Sequence, residues 1–409
     1  MNLYDNFDLN RSVRTDDVAQ FFDTRGFIGL SALYGSWSAV GSVNFAGDDF
    51  SDGVLWGNDQ APLGAAGTRR FETTLRHLYI QYHSPERWKI EMGRLPHKLG
   101  QGIVTNVIRD SIRVTEEYGK LRFVQSYVKG GEGLSPGTTT TASIVPSNAA
   151  TGAGEDLHAF VLLINYLPNK EWGIQTFYAQ QIDTTFDGRF PEKQFGDINA
   201  NFQRGNYKVI GEFAYLGGMT SRVAALNQRR NYRAFMGYMN FSYSLPKAIL
   251  GVAGGIGSGD NNPTDLNLTN FENLFMDETG YNYTFLFADD IHGFAGQSSH
   301  LGRGSGFANV MFPQIYGVLP KGPLTLKGSY TWLQATESQL EGSGVLGTVS
   351  TTNANRTRDI GHEWDILADY KLNKYLTLFF HSGYFLPGRI FGSGADPALK
   401  LETGVTFAF

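Results

Sequence analysis

The chain has 409 residues, a formal net charge of −5, 18% charged residues and no cysteine. The negative charge argues against nucleic acid as a partner, and the missing cysteines exclude disulfides, thiolate metal sites and covalent haem attachment. No apolar run approaches the roughly 18 residues that a transmembrane helix needs, so helical membrane spans are excluded.

The remaining composition favours a barrel. Aromatic residues make up 14% of the chain and glycine contributes 50 residues, yet mean hydropathy is −0.24. A helical membrane protein is more apolar than this. A β-barrel with an apolar outer wall and a hydrated lumen has this combination.

Alternating side chains recur from residue 18 to the end of the chain. In one early segment, Trp88, Ile90 and Met92 share a face opposite Lys89 and Glu91, which is the period of a β-strand with one apolar side. The pattern predicts strands at 18–34, 37–47, 69–84, 87–95, 111–117, 120–129, 156–167, 171–182, 194–203, 206–217, 230–244, 248–258, 305–320, 322–337, 358–372, 375–387 and 398–409.

The links between these segments alternate in length. Short turns are expected near residues 34–36, 84–86, 168–170, 204–206, 246–247, 321–322 and 373–374. Long polar links are expected near 48–68, 96–110, 130–155, 183–193, 218–229, 259–304, 338–357 and 388–397. Outer-membrane barrels have short periplasmic turns and long extracellular loops, so this alternation favours a barrel over a soluble β-sandwich.

The strand count follows from the same alternation. Seventeen strands are predicted, and the last of them runs toward the periplasm. A single-chain bacterial barrel needs an even number of strands. The missing strand is predicted within 1–12, which gives an antiparallel transmembrane barrel of eighteen strands, with sixteen as the alternative. We expect one barrel domain over 1–409, with extracellular loops near 48–68, 130–155, 259–304 and 338–357.

Both ends of the chain bear on localisation. The last strand ends in Phe409 after alternating apolar residues, which resembles the signal read by the outer-membrane assembly machinery. The first residues lack the basic and apolar regions of a signal peptide, so we expect a leader to be absent from this numbering. Expected partners are therefore outer-membrane lipid, lipopolysaccharide and the assembly machinery.

Two segments carry more than strand alternation: residues 89–95 contain Gly93-Arg94, and residues 361–388 contain Glu363, Asp365 and a Phe385-x-Pro387-Gly388 turn. Together they resemble the alginate export family of outer-membrane porins. That family tends to carry a Gly-Arg-Gln element on an early strand, and Gly93-Arg94 matches it, whereas Leu95 departs from it. Near the end the family has a Glu-x-Asp pair and an aromatic-x-Pro-Gly turn, matched by Glu363, Asp365, Phe385, Pro387 and Gly388. The resemblance implies an eighteen-stranded porin and, in the best-known member, secretion of an anionic polysaccharide through an arginine-lined lumen.

Charged residues opposite the apolar faces are the candidates for lining the pore. We select Arg25, Lys89, Glu91, Arg94, Arg113, Arg122, Glu363 and Asp365. In one interpretation the four arginines form a cationic ladder for carboxylated sugars, because guanidinium matches carboxylate in a two-point geometry. In the other, Arg94 and Arg113 pair with Glu91, Glu363 and Asp365 across the lumen and only hold the wall together.

Two further functions stay open at this stage. One alternative to a diffusion or export channel is a barrel that serves as the scaffold of a partner, such as a sheath for an electron-transfer cytochrome. An outer-membrane hydrolase is the other, because His362, Asp365 and His381 lie on neighbouring predicted strands, although no serine stands in a nucleophile motif. We predict a channel for polar solutes, with carboxylated saccharides as anionic candidates. We expect periplasmic export partners, and we expect no metal or cofactor.

Overall fold

The computed structural model describes residues 2–5, 18–24, 26–45, 54–57, 73–132, 156–183, 192–223, 228–260, 266–275, 281–288, 307–342 and 355–408. Eighteen antiparallel strands form one sheet. No helix in these residues is long and apolar enough to cross a membrane. The strands are β1 (Asn2–Asp5), β2 (Val18–Thr24 with Gly26–Tyr34), β3 (Trp37–Phe45), β4 (Thr73–His83), β5 (Trp88–Leu99), β6 (Thr105–Tyr118), β7 (Leu121–Glu132), β8 (Asp156–Tyr166), β9 (Trp172–Asp183), β10 (Glu192–Arg204), β11 (Tyr207–Val223), β12 (Gln228–Leu245), β13 (Ala248–Gly257), β14 (Met311–Lys321), β15 (Leu324–Leu340), β16 (Arg356–Lys371), β17 (Leu376–Pro387) and β18 (Ala398–Phe407).

The first and last strands close the sheet into a ring. Asn2–Asp5 pairs with Leu399–Glu402 on one side and with Val18–Phe21 on the other. All other neighbours are consecutive hairpins from β2 to β18. Two short segments also pair with wall strands. Val54–Gly57 pairs with residues Phe21–Thr24 of β2, next to the part of β2 that pairs with β3, and Asn267–Leu268 pairs with β12. The eighteen-strand prediction is confirmed.

The two ends of the barrel differ as the link lengths predicted. Turns of two to five residues join each even-numbered strand from β2 to β16 to the strand that follows it. All of these turns lie at one end of the barrel, which we call the short-turn end. The strand ends that the remaining links connect lie at the opposite end, the long-link end. Two predicted long links are wrong in length: β5 and β6 extend to Leu99 and from Thr105, and β11 and β12 extend to Val223 and from Gln228. Many of the added strand residues are polar or glycine, so the apolar alternation does not mark them.

Large apolar side chains cover the outward face. Met239, Ile315 and Leu250 are 63%, 59% and 53% exposed, which is costly in water and favourable in lipid. An aromatic row lies on this face at the short-turn end, where Trp37, Tyr82 and Trp88 are in contact as tilted rings with centroids 4.9 and 5.3 Å apart. Trp172 and Tyr375 lie at the same end and are exposed.

The core of the molecule lies inside the barrel. Inward residues of β9 to β12, such as Phe177, Phe195 and Leu216, are buried. They are covered by residues that belong to no wall strand, including Ile103, Phe271 and others of the links. Part of the lumen is therefore filled by the chain itself.

Candidate functional site

The tip of the β5–β6 hairpin, residues Gly100–Val104, folds across the lumen. The main-chain N–H of Gly100 donates to Gln175 Oε1 at 2.7 Å, and that of Gln101 donates to Glu212 Oε2 at 2.6 Å. Gln175 and Glu212 stand on β9 and β11, four and six strands away from β5 around the wall. The hairpin tip is thus anchored from inside on the opposite strands.

The link between β13 and β14 occupies another part of the lumen. Its first residues are fixed to β12, because Arg230 binds Asp260 at 2.9 Å and the carbonyl oxygen of Asn267 at 2.7 Å. Residues 266–275 and 281–288, which we call the inner link, then pack inside the barrel, with Phe271 and Leu286 fully buried. This part of the predicted 259–304 loop forms an inward constriction, one of the roles its length suggested.

Aromatic stacking holds the inner link against the wall. Tyr283 lies on Phe312 of β14 with ring centroids 3.9 Å apart and planes within 9°. Phe287 stacks on Phe385 of β17 at 5.3 Å. Burial raises the pKa of the Tyr283 phenol well above its ordinary value, so this ring stays neutral inside the lumen.

An acidic residue of β16 grips the main chain of the inner link. Glu363 accepts the N–H groups of Leu286 and Phe287 through its two oxygens, at 2.6 and 2.8 Å. Asp365 accepts the hydroxyl of Ser329 at 3.1 Å. Two consecutive N–H groups are thus satisfied by one buried carboxyl group, which fixes this segment to the wall.

The hairpin tip and the inner link meet inside the barrel. The N–H of Leu274 donates to the carbonyl oxygen of Val104 at 2.9 Å. Lys193 of β10 forms a 2.6 Å ion pair with Glu272 of the inner link. These segments fill the side of the lumen along β10 to β18, and the space that the described residues leave open lies along β5 to β9.

A cavity of about 280 Å³ occupies that space between the short-turn end and the hairpin tip. The described residues that line it carry four cationic groups, on Lys89, Lys98, Arg113 and Arg122, and one carboxylate, on Glu91. The rest of the lining consists of the polar residues His97, Thr115, Ser126, Asn165 and Gln175 and the apolar residues Leu99, Val124, Val161 and Leu163. The wall of this cavity is rich in hydrogen-bond donors and carries an excess of positive charge.

Glu91 organises the cations nearest to it. Its two oxygens bind Lys89 Nζ at 3.1 Å and Arg113 Nε at 2.7 Å. Arg113 also donates through Nη1 to the carbonyl oxygen of Pro96 at 3.0 Å, at the base of the hairpin that bends inward. One carboxylate shared by two cations leaves a net positive charge at this position.

Arg122 lies nearer the short-turn end. Its Nε binds Glu117 at 3.0 Å, with half of each side chain or more exposed. Such an exposed pair is worth little energetically and is screened by salt. The guanidinium therefore stays available to a passing solute.

The sequence-predicted site residues fall into three places. Lys89, Glu91, Arg113 and Arg122 line the cavity together. Glu363 and Asp365 lie on the far wall, where Glu363 holds the inner link and Asp365 binds Ser329 instead of pairing with any arginine. Arg25 lies outside the described residues.

Arg94 requires a correction. The pairing runs through Gly93 without a shift, so Arg94 stands opposite Leu78 and Asp110, on the same outward face as Met92. Its nearest charged partner is Asp110 at 3.9 Å, which is exposed on that face. The ladder cannot include Arg94, because strict alternation turns its side chain away from the lumen.

The arrangement considered for a hydrolase does not form. His362 faces outward, where its Nδ1 lies 2.8 Å from the hydroxyl of Tyr330, whereas Asp365 faces inward. His381 binds Asp369 at 3.2 Å. Within the described ranges no three His, Asp or Glu side chains are grouped to hold a metal ion.

Several residues of the site were not selected from the sequence. Gln101 and the 285–287 segment reach Glu212 and Glu363, respectively, only by folding across the lumen. One local signal existed for the inner link: Phe271, Leu274, Phe275 and 285–287 make it too apolar for a solvated loop. The hairpin tip carried no such signal.

Comparison with known proteins identifies a matching family and solved structures with the same fold. A family model described as Alginate export matches residues 178–402. No curated protein matches the chain at a significant level. Solved structures with the same fold include Pseudomonas aeruginosa OccK8 (OprE), with 14% identity over 99% of this chain and 94% of that one and a TM-score of 0.57. Acinetobacter baumannii OccAB1 has 11% identity over 100% and 94%, with a TM-score of 0.56. Pseudomonas aeruginosa OpdK, in a structure with vanillate, has 10% identity over 99% and 95%, with a TM-score of 0.57.

Proposed function

The chain belongs to the alginate export family of outer-membrane channels, whose model covers more than half of it, and on that premise we propose that it conducts small anionic solutes. Carboxylated saccharides are the candidate class. The solutes would pass along the wall formed by β5 to β9, where the lumen is open. They would move down a gradient or be delivered by a periplasmic partner.

One observation carries this proposal: four cations and a single carboxylate line the cavity between the short-turn end and the hairpin tip. A cationic wall in a narrow, low-dielectric passage attracts anions and repels cations. Arg113 and Arg122 offer planar guanidinium groups that match a carboxylate in two-point geometry. Asn165, Gln175 and Ser126 add the neutral hydrogen-bonding groups that suit hydroxyl-bearing solutes.

The related structures are compatible with this solute class. OpdK was solved with vanillate, which is itself a carboxylate. At 10% identity this likeness concerns the fold. Vanillate is therefore a candidate solute to be tested with this chain.

The inward segments favour a solute channel over a sheath for a folded partner. Residues 281–288 are held inside the barrel by Glu363, and residues 266–275 by Lys193 and the main chain of Val104. A partner protein would need that volume, and the bonds to the inner link would have to break before it could enter. A solute of a few sugar units needs only the space beside it.

Reversal potentials in planar bilayers test the proposal. The purified barrel is placed between solutions of unequal salt concentration, and the zero-current voltage gives the ratio of anion to cation permeability. We expect a preference for chloride, and current block by glucuronate that is stronger than block by neutral glucose. A preference for cations would refute the cationic path.

A further inference from the structure

Two buried carboxyl groups lie directly under the hairpin tip. Asp197 of β10 and Glu212 of β11 face the lumen one diagonal step apart on neighbouring strands, and they are 5% and 4% exposed. Neither takes part in the cationic cavity. Two full negative charges this close in a buried site repel strongly, so one proton is normally shared between them.

The hydrogen bonds around the pair show which carboxyl group carries that proton. Glu212 Oε2 accepts from the N–H of Gln101 at 2.6 Å and from Asn199 Nδ2 at 3.3 Å. Both donors stabilise an ionised carboxylate. The oxygens of Asp197 and Glu212 Oε1 have no donor among the described residues, and a proton on Asp197 that points at Glu212 Oε1 satisfies both sides.

We propose that Asp197 and Glu212 share one proton and that this proton latches the hairpin tip across the channel. Protonated Asp197 donates to Glu212, and ionised Glu212 holds Gln101. The inference rests on the channel function but not on its anion preference.

The groups that face the pair allow such a switch. Lys98 of the hairpin acts electrostatically on Glu212, but no ion pair within the described part of the chain joins the two. Tyr238 of β12 and Tyr281 of the inner link lie close enough to feel the charge of Glu212. Asn199 and Gln175 are neutral. Among the described residues the pair therefore has no ion-paired counter-charge that would let both groups ionise in place.

Loss of the proton must move the hairpin tip. Gly100 lies so close to Glu212 that a Cβ at that position would overlap the carboxylate. Water cannot reach the second negative charge while the tip covers it. Deprotonation therefore favours a state in which the tip lifts and the pair becomes hydrated, which widens the passage.

Isosteric variants test the latch. Asp197→Asn keeps a donor to Glu212 and has no proton to lose. Glu212→Gln keeps an acceptor for Gln101 and donates to ionised Asp197. Both are expected to stay latched at every pH. Asp369→Asn, at an inward carboxylate that binds His381, is the matched control.

Single-channel conductance across a pH series is the first readout, and amide hydrogen exchange of residues 98–106 is the second. The parent chain and the control should gain conductance and exchange faster as pH rises, whereas both isosteric variants should lose this response. Equal responses in parent and variants, a parent that does not respond, or loss of the response in the control would overturn the latch. Absence of conductance in all chains at every pH would instead refute the channel, and hydrogen exchange would still report on the latch.

Discussion

Glu363 holds the main chain of Leu286: its Oε1 accepts the Leu286 N–H at 2.6 Å, from a strand separated from that residue by 77 positions in sequence. The bond is buried and is repeated by Oε2 on the next N–H. It joins the outer wall to the segment that narrows the lumen. Glu363 thus fixes part of the inner link inside the lumen through backbone contacts.

Removal of that carboxylate should loosen the inner link. Glu363→Ala leaves two buried N–H groups without acceptors, at a cost on the order of 1–3 kcal/mol each. We expect higher single-channel conductance and faster hydrogen exchange over residues 281–288. Glu363→Gln, which keeps one acceptor oxygen, should show a smaller effect. Unchanged conductance in Glu363→Ala would mean that the inner link does not limit the passage.

Arg113 and Arg94 should differ in their effect on ion selectivity. Arg113 lines the cavity, whereas Arg94 faces outward beside Asp110. Arg113→Ala should therefore lower the ratio of anion to cation permeability, and Arg94→Ala should leave it near the parent value. Reversal potentials of both variants at low ionic strength, where screening is weakest, give the comparison. A larger shift in Arg94→Ala would contradict the outward placement.

Substitution of Gly93 or Gly361 should destabilise the barrel. Both have positive φ, +126° and +138°, and a Cβ at either position would overlap the carbonyl oxygen of Leu78 or Leu386 on the neighbouring strand. Gly→Ala at each should destabilise the barrel by at least about 1–3 kcal/mol. Gly196→Ala, where a Cβ meets open space, is the control. Urea titration of the refolded barrel in detergent, followed by gel mobility, measures the difference.

The outward aromatic row should lie at a membrane interface. Trp37 and Trp172 are exposed on the outward face at the short-turn end, where indole favours the headgroup region. In variants that retain a single tryptophan, either residue should be quenched more by lipids brominated near the headgroup than by lipids brominated near the chain end. Preferential quenching by the deep label would place the membrane differently along the wall.

The strands of this protein were predictable because their signal is local. Alternation with period two is set by adjacent residues, and a lipid-facing wall repeats it on every strand. Link lengths gave the order of short and long connections. The strand number followed from them, and strands were misplaced mainly where polar residues or glycines leave the apolar alternation unmarked, as at 96–110.

Tertiary structure decided everything that depends on the interior. Arg94 faces outward because the pairing continues through Gly93 unshifted, which the sequence left open. Glu363 meets Leu286, and Gln101 meets Glu212, only because a closed wall brings distant links into one lumen. Which links turn inward is settled by packing and backbone hydrogen bonding across that space. The apolar residues of the inner link gave a local signal for this, whereas the hairpin tip gave none.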